Sequence, residues 1–330
     1  MEVVPHPRVL AALGADMTSV KLESPRKKKA EPRSDGLGAD PWGVLYRKVK
    51  NPTGSYMEVV HTPLADLKES DLESFIFPNP HDLVDSRATA EAARNLFENT
   101  DLAIMGRFGG PIIEVALNMM GFEKWLMLTA SHPDLAGALL DRITDVQITL
   151  DRLGLEATAK YLQIFKLSGE DLGMQTGPLY SPSMFRKLFL PRFKRRWQAA
   201  RDYLDQVNPS VKLMLHSCGS VRKFIPELIE NGVQILDPIQ PLATGMDSFE
   251  LKRDFGDRLV FHGGVDIQEV LPFGTTKEVE AETKHRIKAL APGGGYILSS
   301  SHFIQSDIPP ANIVTMCRTV HTYGVYPISI

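Results

Sequence analysis

The chain has 330 residues, which is enough for one large barrel domain or two ordinary domains. A formal net charge of −3 excludes the general attraction to nucleic acid that a basic protein has, and no apolar run approaches the roughly 20 residues of a membrane span. With two cysteines, and no signal-peptide pattern at Met1–Pro5, the sequence predicts a cytoplasmic protein without a disulfide framework that binds neither nucleic acid nor membranes.

The first part of the chain predicts a short helix over Pro7–Leu13 and a strand over Asp16–Leu22. The stretch Ser24–Asp40 is basic and contains Gly and Pro, which is typical of an exposed loop with solvated charges. Further along, Val44–Val49 and Tyr56–His61 flank the turn-forming residues Asn51-Pro52-Thr53-Gly54. This arrangement predicts an antiparallel hairpin near residues 44–61.

From about residue 90 onward, short apolar strands alternate with longer amphipathic stretches, as in a parallel α/β sheet. The six predicted strands are Leu102–Arg107, Tyr161–Leu167, Val211–His216, Val233–Leu236, Leu259–Phe261 and Tyr296–Ser299. The predicted helices include Ser183–Val207, Thr276–Leu290 and Asn312–Tyr323. Together with Asp16–Leu22 this makes seven strands, one short of a (β/α)8 TIM-type barrel.

His216 and Cys218 follow the strand Val211–His216 at its carboxyl end. Side chains alternate along a strand, so these two residues point to the same face. Active sites of α/β barrels are built at this end of the strands, and an imidazole with a thiolate can bind one zinc ion. A buried histidine and a buried cysteine are also common as plain core residues, and both interpretations stay open.

His302 comes after another predicted strand, Tyr296–Ser299. With His216 and Cys218 it would supply three protein ligands, and three ligands with an open position are typical of a catalytic zinc site. The alternative is a histidine that hydrogen-bonds substrate without any metal.

Three further residues at strand ends are candidate catalytic residues. Glu170 and Asp171 are adjacent carboxylates, and one of them is expected to be a fourth ligand or a general acid, with helix or turn capping as the alternative. His262 is expected to line the same pocket, although a role as a hydrogen-bonded structural histidine is the better explanation.

Two further features are expected to lie outside the site. Cys317 is expected to serve packing, and the basic run Arg186–Arg196 is expected to be a solvated helix face.

From about Gly14 to Pro327 the sequence resembles the uroporphyrinogen decarboxylase-like superfamily. The residues that carry the resemblance are Gly169-Glu170-Asp171-Leu172-Gly173, His216-Ser217-Cys218-Gly219-Ser220-Val221, Gly263-Gly264-Val265-Asp266, Gly294-Gly295-Tyr296-Ile297 through Pro309, and Tyr323-Gly324-Val325-Tyr326-Pro327. The resemblance implies a single barrel domain over residues 1–330. The superfamily also includes a branch of zinc-dependent corrinoid methyltransferases of the methylcobamide:coenzyme M type, which this sequence resembles.

Within this resemblance the sequence combines two signatures. The methyltransferase branch uses a His-x-Cys pair and a later cysteine as zinc ligands. Here His216 and Cys218 match the pair, while His302 stands at the position of the later cysteine. The decarboxylase branch has a histidine at that last position, no metal and no His-x-Cys pair. Its arginine-rich N-terminal motif has no counterpart here.

Relatives of this kind usually begin with a helix and a first barrel strand upstream of the stretch that matches Leu13-Gly14-Ala15-Asp16. The chain is therefore expected to be shortened at its N-terminus relative to the family. A truncated gene model, an open barrel and a replacement element are the three explanations that stay open, and truncation would also remove the arginine motif.

The leading functional hypothesis is methyl transfer between a small methylated donor or acceptor and a corrinoid (cobalamin) carrier protein, with zinc held by His216, Cys218 and His302. One alternative is a metal-independent decarboxylase of uroporphyrinogen or a related polycarboxylate, in which Asp16, Asp171 and His302 handle the proton. Another alternative is a non-catalytic protein that binds a corrinoid or a partner.

Overall fold

A computed structural model describes residues 6–25, 35–51 and 54–330. The N-terminal residues Met1–Pro5, the Lys27-Lys28-Lys29 run of the predicted loop and Pro52-Thr53 of the predicted turn lie outside the described residues. Expectations for those segments remain predictions.

Ten strands occur in the described residues, and all seven predicted parallel strands are among them. The strands are β1 (Met17–Lys21), β2 (Gly38–Ala39), β3 (Leu45–Asn51), β4 (Gly54–His61), β5 (Ala103–Arg107), β6 (Ile164–Gly169), β7 (Lys212–His216), β8 (Ile235–Ile239), β9 (Val260–Val265) and β10 (Tyr296–Ser300).

Helices connect these strands and confirm the α/β class. They are α1 (Pro7–Leu13), α2 (Glu69–Ser74), α3 (Ser86–Asn99), α4 (Ile113–Met120), α5 (Phe122–Ser131), α6 (Pro133–Thr158), α7 (Pro182–Met184), α8 (Leu190–Val207), α9 (Ile225–Glu230), α10 (Ser248–Phe255), α11 (Val270–Phe273), α12 (Thr276–Leu290) and α13 (Pro310–Tyr323). A π-helical turn, Phe185–Phe189, joins α7 to α8. None of the described helices combines the length and the hydropathy that crossing a membrane requires.

The described chain forms two compact units. The first unit comprises Met17–Glu170 and Ser183–Val211, and the second comprises residues 6–16, Asp171–Pro182 and Lys212–Ile330. The single barrel domain over residues 1–330 therefore stays a prediction, and each unit is described by itself.

The first unit contains the parallel strands β1, β5 and β6, with Lys21 opposite Arg107 and Arg107 opposite Lys166. It also contains the predicted hairpin, in which β3 and β4 pair antiparallel from Leu45–His61 to Asn51–Gly54. The short strand β2 adds a third strand that the sequence analysis did not predict.

Helices α6 and α8 of the first unit are joined by a buried ion pair that corrects one prediction. The Arg196 guanidinium donates from Nε to Asp151 Oδ2 at 2.6 Å and from Nη2 to Oδ1 at 3.0 Å. Both side chains are almost fully buried. The run Arg186–Arg196 is thus not a uniformly solvated face, because Arg196 lies on the side of α8 that packs against α6.

The second unit contains the parallel strands β7, β8, β9 and β10 in that order. Beside them, Val265, Leu271, Val279, Ile308 and Met316 form a buried apolar cluster. Cys317 packs against this cluster, as predicted, and burial raises the pKa of its thiol.

Two strands extend well beyond their predicted carboxyl ends. The strand predicted over Val233–Leu236 runs from Ile235 to Ile239 and so includes Asp237. The strand predicted over Leu259–Phe261 runs from Val260 to Val265 and so includes His262. Polar, proline and glycine residues end a strand pattern in the sequence, but pairing with neighbouring strands carries the extended backbone through them.

Candidate metal centre

His216 and Cys218 lie at the carboxyl end of β7, as the sequence predicts. His216 is the last residue of β7 and is paired in register with Asp237 of β8. The Cys218 Sγ is 3.4 Å from His216 Nε2. The two potential ligand atoms therefore face each other across a short gap.

His302 lies two residues beyond the end of β10 and completes the cluster. One ligand atom from each of His216, Cys218 and His302 lies within 4.8 Å of the others. The imidazole rings of His216 and His302 have centroids 5.8 Å apart, and all three residues are half-buried. The structure thus brings together the three residues that the sequence analysis selected, while metal binding itself stays a prediction.

Asp237 is a residue of the candidate site that the sequence analysis missed. Its Oδ2 lies 2.7 Å from His216 Nδ1, and its Oδ1 lies 2.6 Å from His262 Nδ1. When Asp237 is ionised it only accepts hydrogen bonds, and Nδ1 of each ring is then the donor. His216 Nε2 is then left with the lone pair that a metal needs, and it is this nitrogen that faces Cys218.

A signal for Asp237 was present in the sequence. It follows the predicted strand Val233–Leu236, at the strand end where barrel active sites lie. The signal was weak because an Asp-Pro pair after a strand is also typical of the start of a turn.

His262 has a defined hydrogen-bonding role in the row His216–Asp237–His262, which crosses β7, β8 and β9. Its contact with Asp237 matches the alternative in which His262 is a hydrogen-bonded structural histidine. About a fifth of its side chain is exposed. A catalytic role for His262 stays a prediction.

Asp171 borders the cluster. Its Oδ1 accepts the backbone N–H of Cys218 at 3.0 Å and lies 3.8 Å from His216 Nε2. The side chain is about half exposed. Asp171 therefore stabilises the turn that carries Cys218 and also places a carboxylate where a fourth ligand or a general acid would act.

Glu170 makes its hydrogen bonds within the first unit. Its side chain is buried, and its two carboxylate oxygens accept the backbone N–H groups of Ile112 and Ile113 at 2.7 and 2.9 Å. These groups belong to the start of α4, where the helix dipole favours a negative charge. The geometry supports the capping alternative for Glu170. It gives the predicted catalytic role no support, because both carboxylate oxygens already accept backbone N–H groups.

Two glycines shape the turns around the cluster. Gly219 has φ +79°, and a Cβ at this position would lie 2.5 Å from the carbonyl carbon of Gly173. The backbone beside Cys218 and the backbone after Asp171 therefore touch directly. Ser220 N–H donates to the Met174 carbonyl at 2.9 Å and holds the two turns together.

The donor set fits a zinc ion in chemical terms. It offers one thiolate sulfur and two imidazole nitrogens, with the Asp171 carboxylate alongside, and these are the ligand types that zinc prefers. The bond from His216 to Asp237 is the support that metal-binding histidines usually have.

Comparisons with known proteins place the sequence in a family. Residues 48–323 match the uroporphyrinogen decarboxylase (URO-D) family. The chain is 28% identical to a chloroplastic uroporphyrinogen decarboxylase 2 of Arabidopsis thaliana over 232 residues, which are 68% of this chain and 53% of that protein. It is 24% identical to a uroporphyrinogen decarboxylase of Oceanobacillus iheyensis over 305 residues, which are 85% of this chain and 79% of that protein.

A solved structure confirms the TIM-type fold class. A methyltransferase from Methanosarcina mazei superposes with a TM-score of 0.66 at 18% identity, over 96% of this chain and 84% of that one. Against the plant enzyme, by contrast, the chain spans about half of the relative's length. The family match covers well over half of the chain, so this protein belongs to the uroporphyrinogen decarboxylase family.

Proposed function

We propose that this protein is a zinc-dependent methyltransferase that moves a methyl group between a small molecule and the cobalt of a corrinoid bound to a carrier protein. The observation that carries the proposal is the cluster of His216, Cys218 and His302, with ligand atoms within 4.8 Å of one another. The methyltransferase from Methanosarcina mazei supports it by having the same fold.

The residues in and around the cluster have separate parts in this proposal. Zinc held there would act as a Lewis acid toward the thiol, ether or amine that gains or loses the methyl group. Asp237 would keep His216 Nε2 directed at the ion, and Cys218 would supply the thiolate. We assign Asp171 the role of proton donor to the leaving heteroatom, since its carboxylate lies 3.8 Å from His216 Nε2.

The ligand charges favour one direction of transfer. One thiolate and two neutral imidazoles leave more positive charge on a bound zinc than two thiolates would. Such a site activates an ether or amine leaving group well and makes a bound thiolate a poorer nucleophile. We therefore favour demethylation of a methylated donor.

Metal analysis tests the proposal directly. We expect close to one zinc per chain in protein purified without chelator, and strong loss of zinc in Cys218→Ser with an unchanged circular dichroism spectrum. Cys317→Ser is the matched control, since Cys317 packs against an apolar cluster and is not one of the three proposed ligands. Absence of zinc from the unmutated protein, even after zinc is supplied, would remove the methyltransferase proposal.

A metal-independent decarboxylase is the second candidate, and the curated relatives favour it because their names are those of uroporphyrinogen decarboxylases. In that case Asp171 and His302 would handle the proton. Asp16, the third residue expected in this role, is exposed immediately before β1. Carboxyl loss from a polycarboxylate substrate in zinc-free protein would support this candidate.

A further inference from the structure

Gln240 hydrogen-bonds to both loops that carry the proposed ligands. It follows β8, and its Oε1 accepts the backbone N–H of Gly219 at 2.7 Å. Its Nε2 donates to the Ser301 carbonyl at 3.3 Å. Gly219 is the neighbour of Cys218, and Ser301 is the neighbour of His302, so a single side chain connects the two loops next to their ligands.

The chemistry of these contacts requires an amide. One partner is a donor and the other is an acceptor, and among side chains of this length glutamine offers both an acceptor oxygen and a donor NH2 group. A glutamate would keep the acceptor for Gly219 but would direct an oxygen at the Ser301 carbonyl. A methionine would fill similar space with neither group.

Other bonds hold each loop to neighbours of its own. Ser301 bonds the Val265 carbonyl through its N–H at 2.8 Å and its hydroxyl at 2.6 Å. On the other side, Cys218 N–H bonds Asp171. These bonds tie the His302 loop to β9 and the Cys218 turn to the turn after β6, whereas Gln240 bonds both loops.

We propose that Gln240 is a positioning residue that fixes the Cys218 and His302 loops relative to each other and thereby slows release of the bound metal. The inference rests on the proposed function, because it assumes that the cluster holds zinc. Its physical basis is that ligands on separate loops lose metal affinity when their support allows them to move apart.

The test compares Gln240→Met with Gln175→Met in otherwise unchanged protein. Gln175 donates to the Leu242 carbonyl on an exposed loop of the same unit, so the control removes a similar hydrogen bond without separating the ligand loops. Zinc release to a chromophoric chelator should be about 10- to 100-fold faster in Gln240→Met and unchanged in Gln175→Met.

Hydrogen exchange in metal-free protein provides a second measurement that does not depend on zinc. Gln240→Met should speed exchange at the Gly219 amide, because that N–H loses its acceptor. Gln240→Glu should leave exchange at Gly219 slow, because the acceptor for Gly219 remains.

The outcomes separate this inference from the proposed function. Zinc release at the unmutated rate in Gln240→Met, or exchange at Gly219 no faster than in the unmutated protein, overturns the positioning role while leaving the methyltransferase proposal intact. Failure of the unmutated protein to bind zinc overturns both.

Discussion

Asp237 connects two histidines through the two oxygens of one carboxylate. It lies on β8 between His216 on β7 and His262 on β9, and its side chain is about 9% exposed. A nearly buried carboxylate requires partners, and here both oxygens have an imidazole N–H. The orientation of the proposed ligand His216 therefore depends on Asp237, which is not itself one of the proposed ligands.

Replacing Asp237 by asparagine should therefore weaken zinc binding. The variant loses the negative charge and can accept from only one of the two imidazoles, so we expect about 10- to 100-fold lower zinc affinity in chelator competition. Asp257→Asn, at an exposed position, serves as the control. Equal affinity in Asp237→Asn and the unmutated protein would contradict the orienting role.

Substitutions of His302 distinguish a metal ligand from a residue that only contacts substrate. If His302 binds zinc, His302→Cys should retain the metal, because a thiolate can occupy the same tetrahedral corner. The added negative charge should lower Lewis acidity and slow demethylation of an ether or amine. His302→Ala should bind zinc more weakly. Zinc affinity unchanged in His302→Ala would remove His302 from the metal site.

At the scale of elements, the turn after β7 and the turn after β6 are in backbone contact. Gly173 and Gly219 make this contact possible, since a Cβ on either residue would overlap backbone atoms of the other turn. The contact keeps Cys218 and Asp171 adjacent.

Gly219→Ala should destabilise the protein more than Gly232→Ala does. Both glycines have positive φ, which costs a side-chain residue about 1–2 kcal/mol. Only Gly219 also faces a backbone clash, because a Cβ at Gly232 would meet nothing within 4 Å. We expect an additional loss of about 1–3 kcal/mol in the free energy of unfolding, measured by urea denaturation. Equal losses in the two variants would show that the turns can separate at no cost.

At the scale of the whole molecule, the two cysteines of the sequence differ in their surroundings. Cys317 packs against the apolar cluster of the second unit, and burial raises the pKa of its thiol, so little of the reactive thiolate forms near pH 8. Cys218 lies in the proposed metal site, where bound zinc would shield its sulfur.

Thiol labelling with iodoacetamide at pH 8 should reflect this difference. The zinc-loaded protein should react slowly at both positions, and removal of the metal by a chelator should create one fast-reacting thiol per chain, which mass spectrometry would locate at Cys218. Rapid labelling of Cys218 in zinc-loaded protein would contradict its role as a ligand.

The sequence alone determined the strands, the hairpin and the three residues of the proposed metal site. Alternation of side chains places His216 and Cys218 on one face, and a parallel sheet gathers strand ends at one edge. Both rules follow from local backbone geometry, so they can be applied without knowing which elements pack together. The TIM-type class and the packing of Cys317 were predicted on the same kind of local evidence.

The tertiary structure decided the partners of the charged and amide side chains. Asp237 joins two histidines, Gln240 links two loops, Glu170 caps α4 and Arg196 pairs with Asp151 in the interior. Each of these contacts is made across 21 or more residues of sequence. Local patterns do not encode such contacts, because a buried polar group is defined by the partner that another element brings to it.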